Sequence, residues 1–119
     1  MQAMSGRSLY LGELEHLLLL AILKCDEHAY TVPIRAMLAD QGGRRLSRGA
    51  LFTSLDRLET KGLVRSRMGD PLAERGGRAR RYFEVTAAGL KALQAARSAL
   101  ATLSEGLDAV LESPLESKT

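Results

Sequence analysis

The chain has 119 residues, 45% of them hydrophobic and 26% charged, with a formal charge of +3; that is the size of one domain able to bury a core, and its composition is not that of a disordered segment. One cysteine excludes an internal disulfide or a multi-cysteine metal site, and two isolated histidines, His16 and His28, make no metal cluster. The longest apolar run, residues 17–23, is far short of the about 20 residues that span a membrane, and no signal-peptide pattern follows Met1; a soluble, cytoplasmic protein without cofactor or membrane partner is expected.

Residues 1–10 offer little to bury and read as a flexible N-terminus. A helix is expected over residues 11–24. Leu14, Leu17, Leu18, Ala21, Ile22 and Cys25 keep the helical period, and Leu19, Leu20 and Leu23 are apolar too, so the hydrophobic surface nearly encircles it. The run could also be a buried strand, but its leucine content and the polar leader Glu13, Glu15 and His16 favour helix. A small domain cannot cover such a helix on all sides, so a second subunit is expected against Leu14, Leu17 and Leu20. Cys25 reads as a small apolar filler rather than a reactive thiol.

A second helix is expected over residues 32–40, capped by Thr31, with Pro33 in its first turn and Ile34, Met37 and Leu38 on its apolar face. Gln41, Gly42 and Gly43 form a turn, and Ser47 caps a third helix whose Leu51, Leu55 and Leu58 share one face with Ala50 beside them. The opposite side offers Arg48, Thr53, Ser54, Arg57 and Lys61 as hydrogen-bond donors, and Gly62 sets the stop. Two helices joined by a glycine-bearing turn, the second one basic, form a helix-turn-helix whose second helix suits the major groove of DNA.

Residues 63–68 and 81–86 are short enough for strands, and Tyr82, Phe83 and Val85 favour that state. Between them Gly69, Asp70, Pro71, Gly76 and Gly77 mark a hairpin loop, with Arg75, Arg78, Arg80 and Arg81 on its tip and far arm. Helix, strand, basic loop and strand is the order of a winged helix. Residues 44–81 hold eleven basic and four acidic residues, a net +7 that leaves −4 for the rest of the chain. A cationic face of this kind is the footprint of nucleic-acid binding, because neutralising phosphates releases counterions.

After the wing, Thr86 caps a helix expected to run unbroken over residues 87–112 before Pro114, with residues 113–119 as a tail. Leu93, Ala96, Leu100, Leu103, Leu107 and Val110 alternate steps of three and four, a coiled-coil seam that asks for a second copy. The fold class is therefore mainly α with a two-stranded wing: a winged helix-turn-helix domain over residues 11–86 and a C-terminal dimerisation helix over residues 87–112.

Four separated motifs, LGELEHLLLLAIL, AYTVPI, LSRGALFTSLDRLETKGLV and RGGRARRYFEVTAAGLKAL, resemble the PadR-like family of bacterial transcriptional regulators in this order, over roughly residues 11–93. The resemblance implies a homodimeric repressor with the third helix in the major groove, the wing on the backbone or minor groove, and the first and last helices forming the dimer. Phe52 and Thr53 stand where the family usually has Tyr and Pro, so Phe52 sits on the candidate surface without a phenolic hydroxyl; Thr31 and Pro33 replace a glycine-containing sequence.

The expected function is regulation of transcription by a homodimer on a pseudo-palindromic operator in double-stranded DNA. Ser47, Arg48, Thr53, Ser54 and Arg57 would read the groove, Phe52 and Lys61 would flank them, and Arg75, Arg78 and Arg80 would hold phosphates. A small-molecule effector of unknown identity is left open. The alternative is a winged-helix interaction module that uses its basic face for protein or RNA. An enzyme is not expected, since the chain has no Ser-His-Asp set, metal-ligand cluster or phosphate loop.

Overall fold

A computed structural model describes residues 11–70 and 79–112; the expected flexible N-terminus, the wing tip with Arg75 and Arg78, and the tail lie outside the described residues. Helix α1 (Glu13–Cys25) leads through a 3-10 turn (Asp26–His28) to α2 (Thr31–Gly42) and α3 (Arg48–Thr60). Strands β1 (Val64–Met68) and β2 (Arg81–Val85) pair antiparallel, and α4 (Ala87–Ser104) and the short α5 (Asp108–Glu112) follow.

The order and the antiparallel pairing are those expected of a winged helix-turn-helix. Helix α3 starts where Ser47 Oγ accepts the Ala50 amide at 3.1 Å, and its Leu51, Leu55 and Leu58 are completely buried. They meet Leu18, Leu19 and Ile22 of α1, Ile34 and Leu38 of α2, Leu63 and Val64 at the start of the wing, and Phe83 of β2 in one core. Ala50, expected beside the leucine stripe, is exposed. Cys25 is part of this core, and burial pushes its thiol up, as suits a packing role. The Phe83 amide donates to the Ala29 carbonyl at 2.8 Å, which fastens the wing to the segment before α2.

Helix boundaries differ from expectation most at α2 and after α4, while α1 starts at Glu13 rather than at residue 11. Tyr30, not Thr31, is the N-cap of α2, and the helix runs on through Gly42 instead of turning at Gln41, because Gly43 takes up the left-handed position that ends it. The continuous helix expected over residues 87–112 is also corrected. It stops at Ser104, Glu105 leaves the helical region, and Gly106 at φ 81° redirects the chain into α5, a conformation that a side chain would oppose.

The seat of α4 is a close backbone approach. The Thr86 amide donates to the Leu63 carbonyl at 3.0 Å, while its hydroxyl donates to the Gly62 carbonyl at 2.7 Å and accepts the Gly89 amide at 3.1 Å. A Cβ on Gly89 would lie 2.2 Å from the Leu63 carbonyl oxygen and 2.7 Å from Val85 Cγ1. Neither neighbour is a flexible side-chain end. Gly89→Ala is therefore expected to destabilise the fold by about 1–3 kcal/mol through overpacking, read as a lower urea midpoint at unchanged slope; a variant as stable as the parent would mean that α4 is not seated on Leu63.

Candidate nucleic-acid interface

Burial of the leucine stripe turns the other sides of α3 outwards. Ser47, Arg48, Phe52, Thr53 and Arg57 are exposed, and Ser54 is half-buried on the flank nearer α1. The structure thus brings most of the expected readers onto one helix surface. At the mouth of the helix-turn-helix, Thr31, Val32, Arg35, Ala36, Ala39, Arg45, Leu46 and Arg48 line an open groove of about 490 Å³. Arg35 Nε donates to the Leu46 carbonyl at 2.7 Å, so that guanidinium is pinned across the turn, and Arg45 and Arg48 make no ion pair among the described residues. Arg35 and Arg45 were not among the expected site residues; Arg35 is exposed on α2 one turn after Thr31, and Arg45 stands in the turn after α2, so only their placement in the fold brings them together.

Other cations of the basic stretch are neutralised locally. Lys61 Nζ lies 2.5 Å from Glu15 Oε2 on α1, Arg44 lies 3.3 Å from Glu13, and Arg65 lies 3.2 Å from Glu84 across the wing. Lys61, expected on the DNA side, is thus turned towards α1. Partial burial alone would raise the Glu15 carboxyl, but the Lys61 bond, the Gly12 amide at 3.1 Å and the fields of Lys61 and Arg57 outweigh it and hold it below the ordinary value. Arg57 therefore stands within electrostatic reach of Glu15 while remaining exposed.

The wing has two differently built faces, as the alternation of a strand pair requires. On one, Arg67 stacks at 4.8 Å over Tyr82, its partner in register, Tyr82 meets Tyr30 edge-on at 5.6 Å, and Arg80 lies 4.2 Å over Tyr30. Arg80, expected to hold a phosphate, is thus braced against the start of α2. On the face towards α3, Arg81 Nη2 donates to Glu59 Oε1 at 2.5 Å, approaches Asp56 Oδ1 at 3.7 Å, and Nε donates to Ser66 Oγ at 3.1 Å. Its guanidinium lies 5.4 Å from the Phe52 ring and 5.0 Å from that of Phe83. Sequence reasoning counted Arg81 only as charge, since its partner Glu59 is 22 residues away.

Away from this face, the expected dimer residues divide. Leu14 and Leu17 are half-buried against their own core. Leu93 is only 6% exposed and packs in that core too, which corrects the expectation that the whole seam lacks a partner in its own chain. Ala96 is half-buried. Leu20, Leu100, Leu103, Leu107 and Val110 are exposed, Leu103 at 77%. His16, Leu20, Leu23, Leu90, Leu93, Gln94, Arg97 and Leu100 line an open groove of about 430 Å³ between α1 and α4. Among the described residues no cluster of His, Cys, Asp and Glu could hold a metal, and no helix is long and apolar enough to cross a membrane.

A helical core with an outward basic helix beside a two-stranded wing defines a winged helix-turn-helix protein. The model of the transcriptional regulator PadR-like family matches residues 19–95, more than half of the chain, and the chain belongs to that family, a family of DNA-binding regulators. No curated protein sequence matches it. Among solved structures it is similar to a PadR family transcriptional regulator from Eggerthella lenta, at 28% identity and TM-score 0.59 over 82% of this chain and 83% of that one. A PadR-like transcriptional regulator from Bacillus cereus aligns at 23% identity and TM-score 0.66, over 85% of this chain and 93% of that one. A PadR family transcription regulator from Clostridium difficile aligns at 21% identity and TM-score 0.64, over 81% and 96%. The last two similarities bear on the fold alone.

The Ser66 hydroxyl holds the Glu59 carboxyl below the ordinary glutamate value; partial burial works against this, and the Arg81 bond and charge add to it. A carboxylate whose folded-state pKa is depressed contributes stability that is fully present above its unfolded pKa and is lost as pH falls through the folded value. Acid is thus expected to loosen the wing from α3, with a carboxyl NMR titration of Glu59 centred below that of the same residue in the urea-unfolded chain; equal midpoints would remove the pairing.

Proposed function

We propose that the protein is a repressor that binds a pseudo-palindromic operator as a homodimer. The observation that carries this reading is the juxtaposition of the exposed side of α3 with Arg45 and Arg48, neither ion-paired among the described residues, on a groove that opens at its N-terminus. Arg48, Thr53 and Arg57 are assigned to base edges, with Ser47 and Ser54 as short donors beside them. Arg35 and Arg45 are assigned to phosphates, together with the wing cations Arg75, Arg78 and Arg80. Phe52 and Lys61, expected at the groove, are assigned to packing against the wing and α1.

The homodimer is inferred from the exposed leucines of α4 and α5, since apolar residues grouped on one surface mark a place for a partner. A second copy against them would set the two α3 helices about 34 Å apart, one turn of DNA, and demand matching symmetry in the operator. The groove between α1 and α4 is the place we assign to a small-molecule effector of unknown identity.

Selection of bound fragments from genomic DNA, run beside a selection from an RNA pool, tests the reading: an enriched double-stranded site with two-fold symmetry is expected, and enrichment of RNA alone or of no nucleic acid would sink it. On the selected site Arg48→Ala should weaken binding by about 1–3 kcal/mol if the guanidinium makes a bidentate base contact, measured by titration at fixed salt. Leu103→Glu should yield monomer in sedimentation, with operator binding lost although α3 is untouched, because the seam would have to desolvate a charge; a variant that stays dimeric and binds normally would displace the interface from α4.

A further inference from the structure

Arg81 has a place in the wing unlike that of its basic neighbours. It is only 29% exposed at its side chain, and two of its three nitrogens donate within the protein: Nη2 to Glu59 and Nε to the Ser66 hydroxyl. The hydroxyl passes the connection on, since Ser66 Oγ donates to Glu59 at 2.9 Å to Oε2 and 3.1 Å to Oε1. Glu59 belongs to α3, Ser66 to β1 and Arg81 to β2, so one closed triangle of charge-assisted bonds ties both strands of the wing to the last turns of the helix. The guanidinium carbon lies 5.4 Å from the Phe52 ring centroid and 5.0 Å from that of Phe83, and Phe52 is the α3 residue whose exposed ring has no hydroxyl to offer a phosphate.

We propose that Arg81 is a positioning residue for DNA recognition: it contacts no phosphate itself, and through Glu59, Ser66 and Phe52 it fixes the angle between the wing and α3. The proposal rests on the reading of the protein as a DNA-binding regulator and adds to it a residue that acts through others. A duplex is contacted by the helix and the wing at once, so their relative angle decides whether both can engage one site. Outside the triangle, the wing is also tied to the rest of the fold by the Phe83 amide to Ala29, the Thr86 amide to Leu63, the stacking at Tyr30 and the burial of Val64 and Phe83 in the core with the α3 leucines. That packing and these bonds lie at the root of the wing and on its other face, and the triangle adds a polar clamp on the side turned to α3.

Charge and geometry predict opposite outcomes here. Glu59→Gln removes a negative charge from the DNA side; if only charge mattered, it would tighten binding to every DNA. The positioning role predicts instead that it lowers the preference for the selected operator over random DNA, by on the order of tenfold. Arg81→Met should lower that preference equally and leave the slope of log affinity against log salt as in the parent, whereas a phosphate contact would take about one unit from it. The double variant Glu59→Gln, Arg81→Met should lose no more than either alone, and Arg81→Lys, which keeps the charge and one donor without the planar fork, should recover only part.

A distance measurement without DNA separates the proposal from the reading beneath it. Spin labels at Thr60 and Met68, both exposed, should give one narrow distribution in the parent and a broad one in Arg81→Met, with thermal melts verifying that the core is folded. An unchanged distribution overturns the positioning role, as does Glu59→Gln binding with its discrimination intact, or a salt slope reduced by about one in Arg81→Met. Failure of the parent to select double-stranded DNA would overturn the regulator reading, and the label distances would still decide whether Arg81 holds the wing to α3.

Discussion

The constraint on which the rest of the molecule depends is the complete burial of Leu51, Leu55 and Leu58 on one side of α3. Steps of four and three put these side chains on a single stripe, and α1, α2 and the wing all pack against it. Each fully buried leucine is worth about 1.5–3 kcal/mol relative to exposure, so rotating the helix to show another face would cost more than any surface contact could return. The polar surface of α3 is thus fixed by apolar packing. Specific hydrogen bonds at its edges only refine its orientation.

Electrostatics shapes the surface more selectively than the formal charge suggests. Lys61, Arg44, Arg65 and Arg81 each meet a carboxylate, and two of those carboxylates, Glu13 and Glu15, come from α1, outside the basic stretch. Exposed pairs of this sort stabilise little, but they decide which cations stay available. Arg45 and Arg48, which make no ion pair among the described residues, line the opening of the helix-turn-helix together with Arg35.

Local patterns in the sequence were enough for most of the fold. The Ser47 and Thr86 caps, the leucine stripe, and the strand residues around Tyr82 and Phe83 all depend on neighbours within a few positions, and they stand in the structure as expected. The readings that needed correction depend on distant partners or on a single backbone angle. Leu93 keeps the seam's period perfectly and is nevertheless claimed by the core, because α4 is drawn onto Leu63. The interruption at Gly106 leaves no mark in the hydrophobic pattern, since Leu103, Leu107 and Val110 keep their spacing through it. Arg81 and Lys61 looked like further members of a cationic run, and only the meeting of β2 with α3 and of α1 with the end of α3 gives them carboxylate partners. Of the candidate site, the α3 surface was legible, and the groove with Arg35 and Arg45 became visible only once α2 and the following turn were placed.

The seat of α4 also makes that helix a mechanical lever. Its 18 residues extend about 27 Å at 1.5 Å per residue, while its bearing, the Thr86 and Gly89 contact with Leu63 followed by the buried Ala92 and Leu93, lies within its first two turns. No slack loop separates this bearing from α3, because Leu63 follows the helix after only the two residues Lys61 and Gly62. A rigid helix of this length turns any rotation at its base into a proportionally wider sweep of its exposed far end.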